Sequence, residues 1–107
     1  PTRETGVVAA DRSGWTFLTN HALVLLCVAE DPGSRLRDIA DRVGITERAI
    51  QAIVADLVAA GYLDRERVGR RNHYRVDPGR RLRHPLQAGH DVGELVAALG
   101  SLARPGE

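Results

Sequence analysis

A single cysteine, Cys27, and a complete lack of lysine mark this sequence. One thiol excludes an internal disulfide and suits a reducing interior, so a cytoplasmic protein is expected. All 15 basic residues are arginine, which codon bias in a GC-rich genome explains as well as selection does. No apolar run approaches the roughly 18 residues that span a membrane. The only long apolar segment, 22–29, lies too far into the chain and lacks the basic flank of a secretory signal. Glycine-rich phosphate loops and paired carboxylates are missing as well. His21, His73, His84 and His90 stand in no cysteine or carboxylate spacing that holds a metal. His90 and Asp91 are adjacent, and adjacent residues on a helix do not face one another. Cys27 falls on an apolar helix, where an inert core thiol is expected rather than a nucleophile. Neither catalysis nor a metal or cofactor is expected.

What is present fits one small domain. At 107 residues the chain can bury a modest core, and 43% apolar with 27% charged residues is globular composition. The net charge of +1 conceals an uneven distribution. Residues 1–64 hold six arginines and nine acids, residues 65–83 hold eight arginines and two acids, and residues 84–107 hold one arginine and three acids. Positive charge is therefore concentrated in one short segment. A solvated charge run is the ordinary reading of such a segment, and its position in the fold decides whether it is more.

The stretch 36–63 organises the chain. Leu36, Ile39, Ala40 and Val43 recur at helical spacing on one face, and Gly44 breaks the pattern. Ile45 follows as a buried plug. Thr46 is a good N-cap, since its hydroxyl can take one of the amides a helix start leaves unpaired. Ile50, Ile53, Val54, Leu57 and Val58 then mark a second face, and Gly61 closes the helix. Ala40 lets the two helices cross closely and Gly44 makes the corner. That is what a helix-turn-helix requires.

Around this pair the rest falls into order. Residues 1–14 read as a mobile tail. Trp15, Phe17 and Leu18 are expected to dock onto the core. Asn20 is expected to cap a first helix that runs to about Glu30, with Leu18 and Val24 clamping its start. Asp31-Pro32-Gly33 ends it, and residues 34–36 form an extended link with one strand-like contact. After Gly61 the period changes to that of strands. Residues 62–68 run out, Gly69-Arg70-Arg71-Asn72 turn, and residues 73–76 return. Val68, Tyr74 and Val76 are expected to face the core, with Arg67, Arg75 and the loop arginines facing water. Asp77, Pro78 and Gly79 end the strand. Arg80, Arg81, Arg83 and His84 form a basic link that either brushes DNA backbone or is simply solvated. A last helix is expected from about Leu86, carrying Val92, Leu95, Val96, Leu99 and Leu102, and Arg104-Pro105-Gly106 frays.

A hairpin directly after the second helix of a helix-turn-helix is a wing. Residues 20–77 resemble the winged helix-turn-helix of bacterial regulators, the group of MarR-like and ArsR-like repressors, through DIADRVGITERAIQAIVADLVAAGYL and RERVGRRNHYRV. The expected fold is mainly α with a small β-hairpin, a winged helix-turn-helix at 15–84 followed by a C-terminal helix at 85–103. The resemblance implies a homodimer on double-stranded DNA, with terminal helices building the dimer, the second helix of the motif in the major groove and the wing at the minor groove.

In that pose Thr46, Glu47, Arg48, Gln51 and Ala52 face outward near the start of the recognition helix. Arg48 suits guanine, Gln51 suits adenine, and Thr46 at the helix start suits a phosphate. Arg70 and Arg71 would enter the minor groove beside Asn72, and Arg37, Arg67, His73 and Arg75 would meet phosphates. Glu47 is acidic, and Ala52 and Ala55 stand where longer polar residues often read bases. A winged-helix adaptor that binds protein instead of DNA therefore stays open as the second reading. A metal-sensing role, known among ArsR-like proteins, finds no cysteine pair.

Overall fold

The first helix, α1 (Asn20–Glu30), is the element the others pack around. Five consecutive residues, Val24, Leu25, Leu26, Cys27 and Val28, are buried, so almost its whole circumference is covered. In the computed structural model, which describes residues 14–103, its neighbours are α2 (Leu36–Val43), α3 (Glu47–Ala59), β2 (Arg71–Val76) and α4 (Val92–Leu99). The expected tail falls mostly outside the described residues, and the expected frayed end lies wholly outside them.

The start of α1 differs from expectation by one residue. Thr19 is the cap, its hydroxyl accepting the Ala22 N–H at 3.1 Å, and Asn20 is already helical. A helical Asn20 cannot turn back onto its own first turn, whereas an extended Thr19 can. With the cap moved, the clamping pair would be Leu18 and Leu23, and Val24 belongs to the core instead. The aromatic lead-in does not dock. Trp15 and Phe17 stack edge to face with ring centroids 5.3 Å apart, and Phe17 is 93% exposed. Phe17 stands at the rim of an open apolar cleft lined by Leu18, Leu25, Leu57, Tyr62, Leu82 and Leu95, and its ring does not fill it.

Between α1 and α2 the chain turns through residues 31–35. The strand-like contact lies at Pro32, whose carbonyl accepts the Tyr74 N–H at 3.2 Å, and not within residues 34–36. A partly buried ion pair ties the two helices: Arg42 donates to Glu30 at 2.7 Å and also to the Ala103 carbonyl at 3.2 Å. At the corner Gly44 is left-handed and Ile45 is half-buried against the core.

The exit of α3 is a complete Schellman arrangement. Gly61 is left-handed at φ 84°, its N–H reaches the Val58 carbonyl, and the Tyr62 N–H reaches Leu57 at 2.9 Å. A residue with a Cβ would be strained there, so glycine sets where the chain leaves the helix. β1 (Leu63–Val68) begins two residues later and pairs antiparallel with β2, from Leu63 opposite Val76 to Val68 opposite Arg71.

That register corrects the expected turn. The loop is only Gly69-Arg70, and Arg71 and Asn72 belong to the strand. Gly69 takes φ 63° and Arg70 stays at negative φ, a glycine-first two-residue loop whose twist matches the strands. The register also turns Val68 outward. Counting by twos from buried Leu63 puts Arg65 and Arg67 on the core-side face with Tyr74 and Val76, and puts Val68 with Arg75 on the other. Val68 is accordingly exposed, and Arg67 and Arg75 occupy opposite faces.

The last helix starts later than expected. Pro85–Gln87 make a short 3-10 turn, with the His84 ring accepting the Leu86 N–H, and α4 begins at Val92. Its start is fixed by a capping box in which Asp91 accepts the Glu94 N–H and Glu94 accepts the Asp91 N–H. Glu94 also meets the His90 ring at 2.7 Å, and that hydrogen bond, with the Asp91 amide, holds its carboxyl below the ordinary range. Val92 is buried in the core, Val96 and Leu102 pack against it, and Leu99 is exposed. The basic link folds back onto the protein. Arg80 lies over the Tyr62 ring at 5.9 Å, Arg81 donates to Gly89, and residues around Arg81 bridge antiparallel to Asp91.

Candidate nucleic-acid interface

The sequence dictates which face of α3 is free. Ile50, Ile53, Val54 and Leu57 are buried, which leaves Glu47, Arg48, Gln51, Ala52, Ala55 and Asp56 exposed on the other side. Thr46 caps the helix, its hydroxyl accepting the Ala49 N–H at 3.0 Å. That oxygen is therefore already engaged, although the other amides of the first turn still point outward. Thr46→Ala is expected to cost about 1 kcal/mol of stability, measured by urea unfolding, because it orphans the Ala49 amide. Among the described residues, the side chains of Arg48 and Gln51 make no hydrogen bond or ion pair. Asp56, further along, meets His21 of α1 at 2.8 Å.

Beside the start of α3 lies a cleft of about 270 Å³ lined by Ser34, Arg35, Leu36, Arg37, Glu47, Arg71, Asn72 and Tyr74. The fold thus brings Arg37, Glu47, Arg71 and Asn72 together, from three separate segments. Arg35 and Ser34 belong with them and escaped the sequence reading, since neither sits on a periodic element. Arg35 precedes α2 and its side chain makes no cap, so only its place before the helix start hints at it. Arg70 stands apart at the tip of the hairpin, exposed to solvent.

The remaining wing residues are dispersed. Arg67 and Arg75 point to opposite sides, as the register requires. His73 is half-buried with its ring against Gly33, and the Arg71 guanidinium donates to the Gly33 carbonyl.

Elsewhere the chemistry is quiet. Burial pushes the Cys27 thiol up; Arg42 opposes this and Glu30 adds to it. A raised thiol holds little thiolate and is a poor nucleophile. Among the described residues no cluster of His, Cys, Asp and Glu is suited to a metal, and no helix is long and apolar enough to cross a membrane.

The MarR family profile matches residues 15–71, more than half of the chain, and the chain belongs to that family. No curated protein matches it. The matched segment runs from the aromatic lead-in through the helix pair to the first residue of β2. Proteins of the MarR family are DNA-binding regulators of transcription, and membership suggests that role for this chain.

Proposed function

We propose that this MarR-family chain binds double-stranded DNA as a homodimer, reading sequence with α3 in the major groove and setting the hairpin at the minor groove. The observation that carries the reading is the unpartnered pair Arg48 and Gln51 at the start of a helix whose opposite face is buried. Arg48 pairs with guanine O6 and N7, Gln51 with adenine, and the exposed methyl of Ala52 suits thymine. Glu47 accepts from cytosine. Thr46 and the free amides at the start of α3 meet a phosphate. Arg70 enters the narrow groove, while Arg37, Arg67, Asn72 and Arg75 meet the backbone, which fixes register without reading sequence. Exposed Leu99 on α4 and Leu86, 89% exposed before it, support a dimer contact along the C-terminal segment. The protein then acts in the cytoplasm, beside a bacterial chromosome.

Fluorescence anisotropy with duplex DNA across a salt series tests this. The logarithm of the binding constant is expected to fall linearly with the logarithm of salt concentration. Arg70→Ala should flatten that line by about 0.9, the contribution of one neutralised phosphate in B-form DNA. An unchanged slope removes Arg70 from the interface. The second reading, a protein-binding adaptor, draws on the exposed alanines Ala52, Ala55 and Ala59, which leave α3 few side chains that read bases. Absence of DNA binding even at low salt would favour it.

A further inference from the structure

We propose that Arg71 is a positioning residue, which latches the hairpin to the loop between α1 and α2 instead of neutralising a DNA phosphate. The role presupposes the DNA-binding reading above, because the latch matters to a reader whose tip must meet a groove.

The loop offers two consecutive carbonyls to one strand. Pro32 accepts the Tyr74 N–H at 3.2 Å, and Gly33 accepts the Arg71 guanidinium. Between these two residues of β2, His73 lays its ring on the same glycine: a Cβ built on Gly33 would stand 3.3 Å from His73 Cε1. The buried ring of Tyr74 completes the contact from the core side. The strand is thus held by backbone, by ring packing and by a charged side chain within four residues.

The loop is a firm support. The Asp31 N–H closes α1 onto Cys27, its carboxylate accepts the Gly33 N–H at 3.1 Å, and its carbonyl accepts the Ser34 N–H at 3.0 Å. Pro32 fixes its own φ, and α2 begins at Leu36, directly after Arg35. An isolated two-stranded hairpin is marginal in water and takes its orientation from what it rests on. Here the outer part of β1, from Asp64 to Val68, is exposed, so the support reaches the outer hairpin through β2. A guanidinium suits the task because its planar fork can hold a carbonyl while its stem lies along the strand.

The latch is tested on the free protein and then on DNA. In the free protein, amide hydrogen exchange is followed at Tyr74 and, as an internal control, at Asp77, whose N–H bonds Tyr62 at the base of the hairpin. Arg71→Ala is expected to speed exchange at Tyr74 roughly tenfold and to leave Asp77 unchanged. Gly33→Ala, which presses on His73 and removes no charge, is expected to do the same. On DNA, both variants should weaken binding although Gly33→Ala keeps every arginine. Unaltered Tyr74 exchange in Arg71→Ala overturns the latch. So does a loss of DNA affinity confined to Arg71→Ala, with the salt slope reduced by about 0.9 and Gly33→Ala binding normally, since that is the mark of a phosphate contact. If the unmodified chain binds no DNA, the exchange result still decides the latch while the DNA reading fails.

Discussion

Ile50→Ala is expected to lower the unfolding free energy by about 2–5 kcal/mol, the range for removing a large aliphatic side chain from a packed core. Ile50 is completely buried on the inner face of α3, in one cluster with residues of α1, α2 and the hairpin base. The void would open inside that shared core. Domains of this size are stable by only about 5–15 kcal/mol, so the loss is a large fraction of the whole. Urea titration followed by far-ultraviolet circular dichroism reads it directly. The control is two residues away, on the opposite face: Ala52→Ser, exposed, should change stability by less than about 0.5 kcal/mol. A loss below about 1 kcal/mol at Ile50 would mean that α3 is not packed as described.

The second large effect is on recognition. Arg48→Ala should weaken binding to a selected preferred duplex by about 1–3 kcal/mol, five-fold to more than a hundred-fold, and leave binding to unrelated duplex nearly unchanged. The expectation follows from position. Arg48 is exposed in the first turn of α3 and, among the described residues, is tied to nothing. Competition binding with the two duplexes side by side separates the cases. An equal loss on both would reassign Arg48 to the phosphate backbone and leave base reading to Gln51, Glu47 and Ala52.

The helix pair was legible because its residues say the same thing at every level. Apolar spacing, the Thr46 cap and the glycines at 44 and 61 all agree, and both glycines are left-handed in the structure. The hairpin was legible in kind but not in register. Five of the six residues of β1 are exposed, so no inward-facing apolar series tells one register from the next. Only Leu63 anchors the count, and two steps of alternation from it suffice to turn Val68 outward. The start of α4 was visible in principle as Asp91 followed three residues later by Glu94, yet the run of apolar residues suggested a longer helix. Trp15 and Phe17 illustrate a different limit. Hydrophobicity shows which residues favour burial, but not whether the fold carries their side chains into the apolar surface beside them. The cleft beside α3 was hardest to foresee, because Arg35, Glu47 and Arg71 meet only through tertiary packing.

The pairing of β1 with β2 makes the hairpin a beam braced along one strand, since Arg71 of the last pair holds Gly33. Its last backbone tie to the body is at Tyr74, opposite Arg65, and the strands continue three residue pairs beyond it to Val68 and Arg71. At about 3.4 Å per residue the extension beyond that backbone tie is roughly 10 Å, a little more than the ~7.5 Å depth of a minor groove. Length and facing are geared together in such a beam. Deleting one cross-strand pair shortens the reach by about 3.4 Å and also rolls the tip over, because side chains alternate with a period of two. Only changes made two pairs at a time keep Arg70 aimed the same way, so the reach of this hairpin can be varied in steps of about 7 Å and no finer.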